Sequence, residues 1–354
     1  MICITILIGI LVFGVLIFVH ELGHFITAKL SKMNVEEFAI GMGPAIFKWH
    51  RKETQYAIRI LPIGGFVKLE GEDGEAVTKD KDGNVVESQP LSENSFYKKP
   101  ALARFAVLFA GSFMNLFTAF LVSVAMVLSA TALLSSTIEG FHDSNTSSKS
   151  GLAVGDQLVK MDGKKIHVST DVSLILSQNF GKPMDIVVRR DGKLVTLKDV
   201  QFPTVEEQGM KLSTPDFYLA QTQKNFFTII HHSYYQCIAI TRSIWQSLGD
   251  LFTGKVGVSQ LSGPVGTTKV IGQAAKAGPS SLMFFFIFIS INVGIMNLLP
   301  FPALDGGRIF LLIIEKIRRK PLPANFEGAL NFVGFALLML LMVYVTFNDI
   351  TRMF

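Results

Sequence analysis

The chain has 354 residues, 49% of them hydrophobic and only 17% charged, with a mean hydropathy of +0.41. A soluble globular protein carries about 25% charged residues, so this balance argues against a wholly soluble chain, and 30 Phe against 6 Tyr and 2 Trp point to lipid contact. The net charge of +5 gathers beside apolar runs with no basic face of interleaved aromatics, which excludes nucleic acid as a partner; Cys3 and Cys237 make neither a disulfide framework nor a C-x-x-C metal site.

Four uncharged stretches are long enough to span a bilayer, which takes about 20 helical residues. The first runs from Ile2 to Val19 and extends through Ile26; with no basic n-region and no A-x-A site, it reads as a retained span, not a cleaved leader. Glu37 to Glu70 alternates and is rich in glycine, predicting short strands with turns at Gly41-Met42-Gly43-Pro44 and Gly64-Gly65. The polar stretch Glu70 to Pro90 reads as a mobile loop. The second span is Phe105 to Ala130. Residues 139–205 form a small β-rich domain, with turns at Gly151-Leu152 and Gly155-Asp156 and strands over Gln157–Met161, Met184–Arg189 and Leu194–Val200. Asn225 to Phe252 is patterned as an amphipathic helix, either on the membrane surface or under the small domain. The third span is Ala277 to Leu304 and the fourth Gly328 to Asn348.

Basic residues set the orientation. Lys29, Lys32, Lys98, Lys99 and Arg104 flank the connection between spans one and two, and Lys316, Arg318, Arg319 and Lys320 fill that between three and four. Both connections are therefore expected in the cytoplasm, leaving both termini and residues 139–276 outside.

The chemistry begins where the first span ends, at His20-Glu21-Leu22-Gly23-His24. In a helix, residues i and i+4 share a face, so both imidazoles can point at one ion, and paired imidazoles suit zinc. Glu21, roughly 100° round the axis, can act as general base towards water without being a ligand. Ionisable residues inside an apolar span are costly, and their presence argues for function over chance. A catalytic zinc needs a third protein ligand. Asp305, in Asn297-Leu298-Leu299-Pro300-Phe301-Pro302-Ala303-Leu304-Asp305-Gly306-Gly307-Arg308, is the candidate from another span; alternatively it is a membrane-end turn carboxylate with Gly306-Gly307 as the turn. His20 lies about 27 Å along the first helix and Asp305 ends near the same side, so the two half-sites are expected at similar depth. Pro300 and Pro302 forbid regular helix before Asp305, freeing backbone groups that protein or water must satisfy. Asn292 and Asn297 could bond an unwound substrate backbone or serve as interhelical contacts.

Together, HELGH in the first span and NLLPFPALDGG in a later one resemble the site-2 protease family, specifically the bacterial RseP-type regulated intramembrane zinc metalloproteases with one PDZ domain. Gly41-Met42-Gly43-Pro44, Leu61-Pro62-Ile63-Gly64-Gly65-Phe66-Val67-Lys68 and Ser262-Gly263-Pro264-Val265-Gly266 carry the likeness further. The resemblance implies His20, His24 and Asp305 as ligands of one zinc ion and Glu21 as catalytic base. It implies substrate contacts at Asn297, Pro300, Gly41, Gly43, Gly64 and Gly65, and a PDZ-like domain built round Asn145 to Asp156. Two departures stand out: the first half of that PDZ motif diverges, leaving a size filter as an alternative to peptide capture, and Ser112 replaces the proline of the family's G-P-x-x-N in Gly111-Ser112-Phe113-Met114-Asn115. Residues 37–70 match the family's membrane-associated β segment, whose edge could pair with an extended substrate or merely plug the cytoplasmic mouth.

The expected fold is a polytopic α-helical membrane protein of four transmembrane helices, with a membrane-associated β segment and one small extracytoplasmic PDZ-like α/β domain. Its divisions are 1–30 (first span), 31–100 (cytoplasmic-side region holding 37–70), 101–130 (second span), 131–205 (PDZ-like domain), 206–276 (amphipathic helix and linker), 277–314 (third span), 315–327 (cytoplasmic loop) and 328–348 (fourth span). The resemblance implies a multi-pass protein of the bacterial inner membrane, in contact with the lipid bilayer, that cuts single-span proteins such as anti-sigma factors, or remnant signal peptides. A membrane zinc transporter and an inactive segment-binding relative are the competing readings. The transporter lacks a repeat and a polar path across the whole thickness, and the inactive relative is at odds with a full set of active-site side chains. Sequence gives no oligomeric state.

Overall fold

The computed structural model describes residues 2–72, 76–79, 85–89, 91–142, 146–207, 210–257, 263–320 and 322–351. They divide into two compact units, one of Met1–Ala119 with Gly257–Phe354 and the other of Phe120–Val256.

The first unit is built on apolar helices: α1 (Ile2–Leu30), α2 (Ala101–Ser129, whose last turns belong to the second unit), and further on α7 (Pro279–Asn297) and α9 (Ala324–Thr351). These four are long and apolar enough to cross a membrane. Small residues let them approach closely. A Cβ at Gly23 of α1 would run into the Ala110 carbonyl of α2, and one at Gly294 of α7 would lie 3.2 Å from the Ser112 oxygen. Val12 and Leu16 of α1 pack on Ile289 of α7.

Between α1 and α2, β1 (Val35–Arg51) and β2 (Thr54–Leu69) form a sheet with more layers than two strands suggest. Residues 45–51 pair with 54–59, while Ile40 has two partners, Gly65 on one side and Ile58 on the other. The chain doubles back inside each strand to achieve this. Gly41 (φ +88°), Gly43 (φ +83°) and Gly64 (φ +79°) sit at the bends, a backbone region that costs L-residues energy. The expected turns are therefore present, and they leave segments 45–51 and 65–69 outermost. Ile46, Phe47 and Trp49 remain exposed on the sheet.

The expected loop after Glu70 contains secondary structure instead. β3 (Ala76–Lys79) and β4 (Val85–Gln89) pair as an antiparallel hairpin; residues 73–75, 80–84 and 90 lie outside the described residues. In the sequence these two short strands lie within the charged and polar stretch 70–90, which hides their alternation.

The third span is also shorter than expected. Its helix stops at Asn297 and a new helix, α8 (Asp305–Arg318), starts at Asp305, because Pro300 and Pro302 cannot continue the hydrogen-bond ladder. Local turns satisfy the freed groups: Leu298 N–H donates to Ile295 O (3.0 Å), Phe301 N–H to Leu299 O (2.7 Å), and Ala303 N–H to the Asn331 side-chain oxygen (3.2 Å). Before α7, α6 (Pro264–Ala277) begins with Pro at its first position. The Asp349 carboxylate of α9 accepts the Gly266 N–H at 2.7 Å, and a Cβ at Gly263 or Gly266 would crowd that carboxylate at 2.9 or 3.1 Å. Two glycines of the G-P-V-G motif are thus explained; Ser262 lies outside the described residues.

In the second unit, β5 (Leu133–Phe141), β6 (Gln157–Met161), β7 (Lys164–Lys165), β8 (Met184–Arg190), β9 (Lys193–Val200) and β12 (Phe217–Thr222) make one sheet, ordered β12-β5-β6-β8-β9 with β7 on β6. The three predicted strands coincide with β6, β8 and β9. Strand β12, however, lies beyond residue 205, so the domain takes in more chain than the expected boundary. A short helix, α3 (Thr146–Lys149), precedes β6, and α4 (Ser169–Ser177) covers a core of Ile138, Leu158, Met161, Leu176, Ile186 and Val188. Asn145 of the predicted motif lies outside the described residues. The hairpin β10 (Thr204–Glu207) and β11 (Met210–Ser213) follows β9. The amphipathic helix appears as α5 (Phe226–Phe252), capped by Asn225, whose side chain accepts the Thr228 N–H. It packs under the small domain: Gln178 donates to Ser243 and His167 stacks on Tyr235 with centroids 4.1 Å apart.

Candidate metal centre

His20 and His24 lie one turn apart near the C-terminal end of α1, with their Nε2 atoms 3.2 Å from each other. Asp305, the first residue of α8, brings Oδ2 to 3.2 Å from His20 Nε2 and 3.4 Å from His24 Nε2. Among the described residues these three form the cluster able to hold a metal ion. Asp305 is thus no isolated turn carboxylate. Gly306 and Gly307 are not a turn either: they lie within the first turn of α8, where side chains would collide with the backbone of Leu298, Leu299 and Phe301. The pair of glycines lets the proline-broken segment fold against the helix that carries the aspartate.

The outer nitrogen of each ring is fixed. His24 Nδ1 donates to the Val107 carbonyl of α2 at 2.7 Å, so Nε2 keeps its lone pair. His20 Nδ1 lies 3.3 Å from the Asn115 amide. Asn115 places Nδ2 towards this nitrogen, and its Oδ1 has no partner among the described residues; an amide rotated by 180° would accept the Nδ1 proton and free Nε2 in the same way. Among the described residues, buried Asp305 Oδ2 has no polar neighbour that could donate to it beyond these two rings. With both rings neutral and protonated on Nδ1, three acceptor atoms would face one another, an arrangement that a cation stabilises. Ligand atoms at 2.0–2.1 Å from a tetrahedral ion are about 3.3 Å apart, and the observed separations match. Two imidazoles and a carboxylate fit zinc.

Beside the cluster lies a cavity of about 350 Å³ lined by Glu21, residues 65–69, Glu72, Val107, Leu108 and Arg308 as well as the three cluster residues. Glu21 thus shares the space into which the cluster opens. Gly65 closes one wall: a Cβ there would come within 3.0 Å of Glu21 Cγ and of the Ala39 carbonyl.

Of the six residues expected to contact substrate, Gly65 alone lines this cavity. Gly41, Gly43 and Gly64 shape the bends of the sheet, and Asn297 ends α7. Pro300 is exposed in the break and Asn297 is half-buried; neither lines the cavity. Sequence alone draws attention to the Gly111 to Asn115 motif for its serine but gives no role to Gly111, which backs directly onto His24 Nε2, or to Asn115, one turn further on. Their i, i+4 spacing in an apolar helix was the available signal. Arg308, three residues past Asp305 on the same helix, was a second one.

The chain matches the protein family described as Peptidase family M50 over residues 8–341. It is 38% identical to a Clostridium perfringens protein named as a zinc metalloprotease, over 98% of each chain. It is 33% identical to the Bacillus subtilis regulator of sigma-W protease RasP, and 31% to the zinc metalloprotease RasP of Shouchella clausii, in both cases over 99% of each chain. A match of this extent, reaching both the histidine pair and the aspartate, means that the chain belongs to Peptidase family M50.

Proposed function

We propose that this chain is a zinc-dependent intramembrane endopeptidase, hydrolysing a peptide bond within or beside the transmembrane segment of a single-span protein. The observation that carries it is the meeting of His20 Nε2, His24 Nε2 and Asp305 Oδ2 within 3.4 Å in the C-terminal half of a membrane-length helix, with Glu21 in the adjoining cavity. His20, His24 and Asp305 hold the ion. When bound, zinc polarises the scissile carbonyl and lowers the pKa of water. Glu21 takes the proton of the attacking water and hands it to the leaving nitrogen. Val107 and Asn115 keep both imidazoles in the coordinating tautomer.

A transmembrane helix hides its amides in its own hydrogen bonds, so it must unwind before it is cut. Segment 65–69 supports a way to hold the unwound chain: among the described residues it has a strand partner on one side only, and it lines the cavity. A substrate strand added to that edge would lie next to Glu21. Gly41, Gly43 and Gly64 act indirectly, by bending the sheet so that this edge faces the site. The exposed apolar side chains of the sheet support its membrane association, and the basic residues flanking the spans support a cytoplasmic position for it. On this reading both termini and the small domain lie outside an inner membrane. The domain is PDZ-like and screens the outer part of substrates. The Bacillus subtilis relative is named a regulator of sigma-W protease, and an anti-sigma factor or a remnant signal peptide is the class of substrate we assign.

The test is cleavage of a reporter single-span peptide by the purified full chain in liposomes. Cleavage should stop with a zinc chelator and resume when zinc is returned. Glu21→Gln should keep zinc and lose turnover; turnover at the wild-type rate would remove Glu21 from its role.

A further inference from the structure

Arg308 and Glu72 form an ion pair on the wall of the catalytic cavity, and neither belongs to the set that holds the metal. Arg308 lies one turn beyond Asp305, so i and i+3 place both side chains on one face of α8. Glu72 comes from the opposite wall, three residues past the end of β2. It is tied to that strand twice: its N–H donates to Leu69 O (3.2 Å), and its Oε2 accepts the Leu69 N–H (3.2 Å). Its other oxygen accepts from Arg308 Nη1. The end of the cavity-lining strand is thereby fastened to the helix that carries a metal ligand.

Two further observations separate this pair from ordinary fold support. First, α8 is already anchored elsewhere: Glu315 accepts from Arg104 of α2 (3.1 Å) and from the Leu322 N–H (2.9 Å), and Leu312 is buried against the apolar cluster of Ala28, Val35 and Leu108. Second, Glu72 uses up the Leu69 N–H. In a strand, amides facing one side recur every second residue, so an added strand could bond at Gly65 and Val67 but would find Leu69 already taken.

We infer that the Glu72–Arg308 pair sets the register of the bound substrate: it ends the pairing edge at Leu69 and fixes that end relative to Asp305. Both are positioning residues. Glu72 acts as a stop for the substrate strand, and Arg308 holds the stop at a constant distance from the metal. The inference rests on the strand-addition reading above. Because pleated pairing repeats every two residues, a loosened stop lets the substrate slip by two residues and exposes a different bond.

The experiment uses the full chain in liposomes with the reporter single-span peptide, and reads the cut bond by mass spectrometry, KM, kcat and zinc content. Glu72→Gln and Arg308→Gln should each keep one zinc, raise KM roughly tenfold for the lost charge-assisted bond, and spread cleavage over bonds two residues apart. The double exchange Glu72→Arg with Arg308→Glu should narrow cleavage back towards one bond. Wild-type bond choice and KM in both single variants would overturn the inference, and so would loss of zinc, which would make the pair a support of the metal site. The underlying reading is checked separately by N-methylating single amides of the reporter. If no N-methyl position weakens binding, strand addition itself fails; if some do while the two variants cut as wild type, only the register role fails.

Discussion

Gly111 of α2 lies directly behind the imidazole of His24: a methyl group at this position would collide with Nε2, the atom that faces Asp305, and sit 2.7 Å from His20 Cε1. The α1–α2 crossing is therefore as close as it is because the metal-binding rings need the space that a side chain would fill. Gly111→Ala should displace both rings. We expect zinc affinity to fall by a factor of about 10–100, the usual cost of disturbing what orients a ligand, with cleavage falling in step. Gly14→Ala on α1, where nothing lies within 4 Å, should leave both unchanged. Zinc titration with a competing chelator measures each.

Asn115 should show a milder form of the same effect. It is fully buried, and its amide is the partner of His20 Nδ1. Asn115→Ala leaves the ring unrestrained and removes the group that selects its tautomer. Zinc affinity should drop roughly tenfold or more while helix content by circular dichroism stays constant. Asn115→Asp, which still accepts the Nδ1 proton, should recover much of the affinity.

In the small domain, Asp156 is buried and accepts two bonds from Arg190, each 2.7 Å, and one from the Ala153 N–H at 2.9 Å. Burial by itself raises the carboxyl's pKa, but Arg190 and the Ala153 amide outweigh it and hold it below the usual carboxylate range. A depressed folded-state pKa stabilises at pH values above the unfolded one, about 3.9, and that contribution is lost as pH falls through the lower folded value. Asp156→Asn should cost about 1.5–3 kcal/mol at neutral pH, and the gap to wild type should close as acid is added. Protease resistance of residues 133–222 in the full chain, followed from pH 7 to about pH 2, reads this directly.

Asp349 satisfies an amide at the start of α6 that a helix cannot satisfy internally. Asp349→Ala should destabilise that end by about 1 kcal/mol and speed hydrogen exchange in residues 264–268, with zinc content unchanged. Gly266→Ala should act alike, since its Cβ would lie 3.1 Å from the same carboxylate. Unaltered exchange in both variants would mean that α6 is held by its packing alone.

The metal cluster was legible in the sequence because local geometry sufficed: His20 and His24 need only helical spacing, and an aspartate after two prolines in an apolar run is conspicuous. The bends at Gly41, Gly43 and Gly64 were legible for a similar reason, since a positive φ favours glycine. What these bends bring together was not, because pairing of residue 40 with both 58 and 65 is decided by tertiary contacts. Strand β12 follows a polar stretch and completes the sheet beside β5, a partner far back in the chain. Glu72 sat in what read as loop, and its meaning depends on Arg308, which lies on another element. Gly111 shows the same limit from the packing side: the need for an absent side chain appears only once a second helix is set against it.

The separation of His20 and Asp305 along the chain has a consequence for biogenesis. The histidine pair emerges from the ribosome with α1, but the carboxylate follows only after α2 and the whole small domain. On the proposed ligand assignment, a partly synthesised molecule carries an incomplete set of ligands and should not attack neighbouring nascent proteins. On that reading, proteolytic competence waits for α8 to be made.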